Sequence, residues 1–375
     1  MLSRGASCHL AHCPSRSQQE PPLRTSLVRA TSVAQADGIV RAALGSRFTA
    51  AVLRVERGGR AIFERAYGRV DDCGGAPISV ETRFDLASLT KPIVTAAVLE
   101  CVQDGTLTLD GPLTHLLFEW RGTPHAAITL RMLLAHVSGM QSGADYRTLL
   151  NDAVPQYALT RPLVAPPRER VIYSDLGFIT IGVLLERARE QSLSEIVTRL
   201  AAQGAAPTLG YRPRAAESAF IPATEDDGWR GRVRGVVHDE KAYLMNGIAG
   251  HAGLFGSAYD VARLTDVFLA PLCGRRGALL DPALAQEAVR EQAPDPVLRR
   301  GLGWALKTGD ENSCGRLMSD STFGHTGFTG TCVWADPARD VQIVFLTNAV
   351  YFGRSDLRSV RAAVADAVIA QCDAC

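Results

Sequence analysis

The stretch FDLASLTKPIVTAAVLECVQDGTLTLD, residues 84–110, decides how the rest of the chain is read. Ser88 and Lys91 stand three apart in it, ahead of an apolar-rich run from Ile93 to Gln103 that reads as a helix. Pro92 falls in the first helical turn, where proline's missing N–H is tolerated. At that spacing the two side chains lie on one face, within reach of each other. A serine hydroxyl is a poor nucleophile until something takes its proton. A lysine can do so if burial or a neighbouring positive charge keeps it neutral part of the time. The helix N-terminus adds N–H groups able to stabilise an oxyanion. By itself S-x-x-K leaves a second reading open, an N-capping serine beside a surface lysine.

Outward from this stretch, residues 31–44 carry a helical pattern, with Val33, Ile39, Val40 and Leu44 apolar. Phe48–Val55 and Ala61–Tyr67 read as strands, joined at Arg57-Gly58-Gly59-Arg60 by a hairpin turn that adjacent glycines permit. Residues 107–234 read as helix and loop, with helical periodicity over Leu130–His136 and Gly177–Arg189. Strand character returns at Thr331–Ala335 and Val341–Thr347, and Asp356–Ile369 closes the chain as an amphipathic helix. Strands at both ends around a helical middle predict an α/β (α+β) fold: a mainly antiparallel sheet flanked by helices, with an all-helical domain inserted. The expected division is a disordered tail over 1–30, a sheet domain from 31–106 and 235–375, and a helical domain over 107–234. A cleft between the two domains would hold the site.

Two further motifs give S-x-x-K its context. Tyr173-Ser174-Asp175 directly precedes a predicted helix, and His325-Thr326-Gly327 sits just ahead of the strand at 331–335. With VIYSDLGFITIGVLLE (171–186), HDEKAYLMNGIAGHAGLFGSAYDVARL (238–264), GLGW (301–304) and FGHTGFTGTCVWADP (323–337), the chain resembles the class C β-lactamases and penicillin-binding-protein-like serine hydrolases, from about Phe48 to Asn348. The resemblance implies a β-lactamase/transpeptidase-like fold. It also implies Ser88 as acyl-accepting nucleophile, Lys91 as its base and Tyr173 as the phenol sharing proton transfer. The N–H groups of Ser88 and Phe328 would form the oxyanion hole, and Asp175, His325, Thr326 and Gly327 would line the substrate.

Two positions depart from the best-known pattern of that family. Asp175 stands where asparagine is usual; ionised, it can only accept hydrogen bonds, and it favours a charged Lys91. That shifts proton transfer toward Tyr173 and weakens recognition of an amide carbonyl. His325 replaces the lysine of K-T-G, and a largely neutral imidazole holds a substrate carboxylate less firmly. The literal Lys307-Thr308-Gly309 is rejected as a decoy, because it runs into the polar loop Asp310-Glu311-Asn312. His238, Asp239, Glu240 and His251 fit no H-E-x-x-H spacing, and the glycines around them suggest a tightly turned loop under the site. His136 reads as a buried, hydrogen-bonded histidine. No metal and no cofactor is expected.

Composition bounds the alternatives. The chain has 375 residues, 46% hydrophobic and 21% charged, with a net charge of +1. That content supports a real core, and the even balance removes any electrostatic case for nucleic acid or anionic membrane as partner. No stretch approaches a membrane span, and no signal-peptide run is present, so the default expectation is cytoplasmic, although relatives are often periplasmic or secreted. Only three of the forty basic residues are lysine: Lys91, Lys241 and Lys307. Nine scattered cysteines do not form a disulfide framework, and Cys372-Asp-Ala-Cys375 reads as a frayed tail. The expected function is hydrolysis through an acyl-enzyme of a β-lactam, D-alanyl peptide or small ester, leaning toward peptidase or esterase. The alternative is a catalytically weak or inactive relative that serves as a binding or regulatory module.

Overall fold

A computed structural model describes residues 33–72, 74–143, 153–293, 295, 298–309 and 312–374. The tail expected over 1–30 lies outside the described residues. Strands β1 (Ala50–Arg57) and β2 (Arg60–Gly68) form the expected hairpin, Arg57 facing Arg60 across Gly58 and Gly59 at φ of 59° and 72°. Short strands follow: β3 (Phe84–Asp85), β4 (Gly210–Tyr211), β5 (Asp226–Asp227), β6 (Gly231–Arg232), β7 (Leu254–Gly256) and β8 (Ala305–Leu306). The chain returns to the main sheet through β9 (Phe323–Thr326), β10 (Cys332–Asp336) and β11 (Val341–Thr347). That sheet is antiparallel at every pairing, in the order β2-β1-β11-β10-β9-β8.

Both faces of the sheet are covered. Along β11, Val341, Ile343 and Phe345 face one core while Val344 and Leu346 face another, the period-two split of a strand buried on both sides. The first core is closed by α1 (Ala34–Ala43) together with the last helix. The second is continuous with the remaining helices: α2 (Thr90–Gln103), α3 (Leu130–Leu134), α4 (Val154–Thr160), α5 (Asp175–Arg189), α6 (Leu193–Gln203), α7 (Glu240–Leu244), α8 (Ala258–Leu272) and α9 (Pro282–Val289). The last helix is α10 (Arg358–Ala374), which packs on α1. Among the described residues no helix is long and apolar enough to cross a membrane.

The differences from expectation have physical causes. The helix expected from Ile93 begins at Thr90, and a 3₁₀ turn over Ala87–Leu89 leads into it. Helix α8 packs against the sheet and against α2 and α9, with Tyr259, Arg263 and Asp266 on its outer face, a helical signal in the sequence that went unread. The expected fray at Cys372 is corrected: α10 runs through Ala374, because Asp373 pairs with Arg339 at 2.8 Å and the Cys372 carbonyl accepts from Arg57 at 3.4 Å. Cys375 lies outside the described residues.

Candidate active site

The segment before Ser88 is tied to the main sheet. Asp85 pairs in β3 with β7, and its carboxylate accepts the Ala87 N–H at 2.8 Å and the His238 N–H at 2.6 Å. Thr329 and Thr331, within the β9–β10 turn, donate hydroxyl hydrogens to the carbonyls of Asp85 (2.8 Å) and Leu86 (3.2 Å). A Cβ on Gly327 would sit 2.6 Å from the Leu86 carbonyl oxygen, so this approach of two backbones requires glycine. Ala87, at φ 46°, turns the chain and presents Ser88 half-buried on the 3₁₀ turn. Ser88 caps no helix; its Oγ lies 3.0 Å from Lys91 Nζ.

Lys91 is fully buried in the first turn of α2. Its ammonium has three partners for three N–H groups: Ser88 Oγ, Asp175 Oδ1 at 2.8 Å and the His251 carbonyl at 3.3 Å. Burial pulls the lysine pKa down, but the charges of Asp175 and Tyr173 outweigh it and hold the pKa above the ordinary lysine value. Lys91 therefore rests as an ammonium.

Tyr173 and Asp175 are fixed from both sides of Ser174. Ser174 Oγ accepts the Gly177 N–H at 2.9 Å as the N-cap of α5 and donates to the Gln141 carbonyl at 2.8 Å. The Ser174 N–H donates to Nδ1 of buried His136 at 3.0 Å. The His136 ring lies against Tyr173, centroids 4.6 Å apart, and burial holds its pKa well below the ordinary value, so it stays neutral. Lys91 Nζ sits 4.7 Å and the Arg300 guanidinium 5.2 Å from the Tyr173 ring centroid.

Asp175 brings in residues the motifs did not supply. Its Oδ2 faces Lys241 Nζ at 3.3 Å, and Lys241 also reaches Asp239 at 3.6 Å. Asp239 N-caps α7 by accepting the Ala242 N–H at 2.8 Å, and it accepts His251 Nε2 at 2.7 Å. The loop holding His251 presses on α5 so closely that a Cβ on Gly250 would lie 2.1 Å from the Phe178 carbonyl oxygen. Asp175, Asp239 and His251 bring potential ligand atoms within 4.8 Å of one another, a spacing that would suit a cation. The carboxylate oxygens already face two ammonium groups, an imidazole and an amide, so both acids are satisfied by protein donors, while buried His251 Nδ1 has no hydrogen-bond partner among the described residues.

On the opposite wall, His325 and Thr326 lie on β9, with His325 opposite Val333 of β10. His325 Nδ1 donates to the Thr326 carbonyl at 2.9 Å. Burial, reinforced by the charges of Lys91 and Arg300, brings its pKa down to about 3, so this imidazole carries no charge at neutral pH. Phe328, 55% exposed, stacks on His238 with centroids 5.6 Å apart. A cavity of about 390 Å³ opens between Ser88, Tyr173, Thr326, Phe328, Arg354 and Leu357. Lys307 does not enter it. A short strand, β8, does precede the literal K-T-G, but Lys307 Nζ donates to the carbonyls of Arg316 (2.8 Å) and Met318 (2.5 Å).

Burial raises the pKa of Asp175, but Lys91, His251 and Lys241 more than reverse this and bring it down from 3.8 to about 2. A depressed carboxylate stabilises the fold above its unfolded pKa, by about 2 kcal/mol here, and loses that contribution as pH falls from about 4 toward 2. Asp239 shifts in the same direction. Urea unfolding at about pH 6 and about pH 3 should show the loss, and Asp175→Asn should shrink the difference between the two. An equal pH dependence in the variant would refute this assignment.

Known proteins resemble this chain over most of its length. The family model described as Beta-lactamase matches residues 36–367. The esterase EstB of Burkholderia gladioli is 30% identical over 93% of this chain and 98% of its own length. An N-acetylmuramyl-L-alanine amidase of Bacillus subtilis (strain 168) is 29% identical over 83% of this chain and 80% of its own. Among solved structures, EstCE1, a hydrolase with promiscuous acyltransferase activity, superposes with a TM-score of 0.73 at 22% identity, covering 92% of this chain and all of its own.

Proposed function

The chain belongs to the Beta-lactamase family, and from that premise we propose that it is a serine hydrolase that cleaves small carboxylic esters through an acyl-enzyme on Ser88. The observation that carries this reading is the 3.0 Å contact between Ser88 Oγ and the fully buried Lys91 Nζ, at the mouth of an open cavity. Ser88 Oγ attacks the ester carbonyl as its proton passes into the Lys91–Tyr173 pair. The backbone N–H groups of Ser88 and Phe328 receive the developing oxyanion. The C–O bond of the leaving alcohol then breaks, and the alcohol takes the proton. Water, deprotonated by the same pair, hydrolyses the acyl-serine and restores the enzyme.

Esters are favoured over β-lactams because neutral His325 supplies no charge for a carboxylate, and ionised Asp175 cannot donate to an amide carbonyl. An ester needs neither contact. The full-length esterase relative supports this choice, while the amidase relative keeps amide donors as the competing substrate class. A second reading, a fold retained for binding after its chemistry was lost, draws on the strong hold of Asp175 on Lys91.

Mass spectrometry after mixing the protein with p-nitrophenyl butyrate or a chromogenic cephalosporin tests the proposal. The expected result is an acyl adduct on the peptide containing Ser88, with faster turnover of the ester. Saturable binding with no adduct and no turnover would favour the binding module. An adduct on another residue would overturn the assignment of Ser88.

A further inference from the structure

Asp175 has one carboxylate oxygen on each of two lysines. Lys91 holds Oδ1 at 2.8 Å, and Lys241, only 12% exposed, holds Oδ2 at 3.3 Å. We propose that Lys241 is a positioning residue for acyl transfer at Ser88: it divides the Asp175 carboxylate between two ammonium groups and so loosens that carboxylate's hold on Lys91. This rests on the assignment of Ser88 and Lys91 made above.

A proton must leave the Lys91–Tyr173 pair before the pair can take one from Ser88. With Lys91 alone beside it, a buried carboxylate would oppose that loss at full strength. Lys241 supplies a second positive charge to the same carboxylate. Asp239, anchored by His251 and by the N-terminus of α7, keeps the Lys241 side chain turned inward. The Lys241 ammonium thus bridges Asp175 and Asp239, and Lys241 does not line the cavity beside Ser88.

The charged and titratable groups facing this carboxylate come from every neighbouring element. Lys91 lies on α2, Tyr173 precedes α5, and His136 stands behind the tyrosine. Asp239, Glu240 and Lys241 come from the start of α7, and His251 from the following loop. Arg300 precedes β8, and His325 lies on β9. Among these, Lys241 is the cation that touches Asp175 without touching Ser88 or Tyr173.

The test is single-turnover acylation by p-nitrophenyl acetate, followed from about pH 6 to about pH 11.5 so that a limb set by a lysine held above its ordinary pKa falls inside the window, in the whole protein and in Lys241→Met and Lys241→Gln. Without the Lys241 charge, Asp175 holds the Lys91 ammonium more strongly, so the proton leaves the site at higher pH. In both neutral variants that limb should move to higher pH by about half a unit to one unit. Lys241→Arg should bring it back toward the wild-type position. A limb that stays in place in both neutral variants would overturn the proposal, whatever happens to the rate, because a purely structural lysine would scale the rate equally at every pH. If the wild-type protein itself acquires no acyl group on Ser88, the functional assignment has failed, and this inference fails with it.

Discussion

Replacing Lys91 by methionine is expected to cost as much acyl transfer as removing the nucleophile itself with Ser88→Ala. In each case kcat should fall on the order of 10⁴-fold or more, because residues that act as one unit lose nearly everything when either is removed. Two variants are needed because their structural effects differ. Ser88 is half-buried and caps no helix, so Ser88→Ala should unfold at nearly the wild-type temperature. Lys91 is fully buried and paired with Asp175; deleting one partner of a buried pair costs about 3–5 kcal/mol, less here because Lys241 remains on the other oxygen. Thermal melts and burst kinetics on both proteins check this. If folded Lys91→Met retains more than about a hundredth of the wild-type kcat, another group is taking the serine proton.

The second large effect concerns a residue with no functional group. Gly327→Ala should lower kcat by about 10²–10³-fold, the range seen when one oxyanion donor is displaced. The added methyl would lie 2.6 Å from the Leu86 carbonyl oxygen and 2.1 Å from Thr331 Oγ1. Rigid backbone stands on one side, so the β9–β10 turn must withdraw, carrying the Phe328 N–H away from Ser88. Overpacking of this kind also costs about 1–3 kcal/mol of stability. Gly38→Ala is the control: nothing lies within 4 Å of a Cβ there, and α1 should gain up to about 1 kcal/mol. A Gly327→Ala protein of wild-type kcat would show that the close approach does not serve the chemistry.

Much of this geometry was legible in the residues, and the reasons differ from element to element. The β1–β2 hairpin and β11 were readable because apolar residues and turn glycines are local signals. The S-x-x-K pair was readable because both residues sit on one helical turn. Helix α6 carried a usable signal that went unread, the capping box of Ser192 and Glu195. Lys241, by contrast, is 66 residues from Asp175 and meets it only through the tertiary placement of α7 against α5. No spacing rule reaches that far. The loop under the site was anticipated from its glycines, but not that the His251 carbonyl would accept from Lys91.

The sheet that carries the oxyanion-side turn has a consequence for how the protein comes into being. One of its pairings joins β1 to β11, and Asn348 receives the Thr49 N–H from 299 positions away. Ser88, Lys91, Tyr173, Asp175 and Phe328 are drawn from segments scattered between those two strands. Pairings of such high sequence separation close late and slowly. A nascent chain emerging from the ribosome therefore carries Ser88 and Lys91 long before it carries Tyr173, Asp175 and the β9–β10 turn that complete the arrangement. On the proposed assignment, acyl transfer would become available only when the two distant strands zip together, and labelling of Ser88 by a reactive ester would double as a clock for the completion of folding.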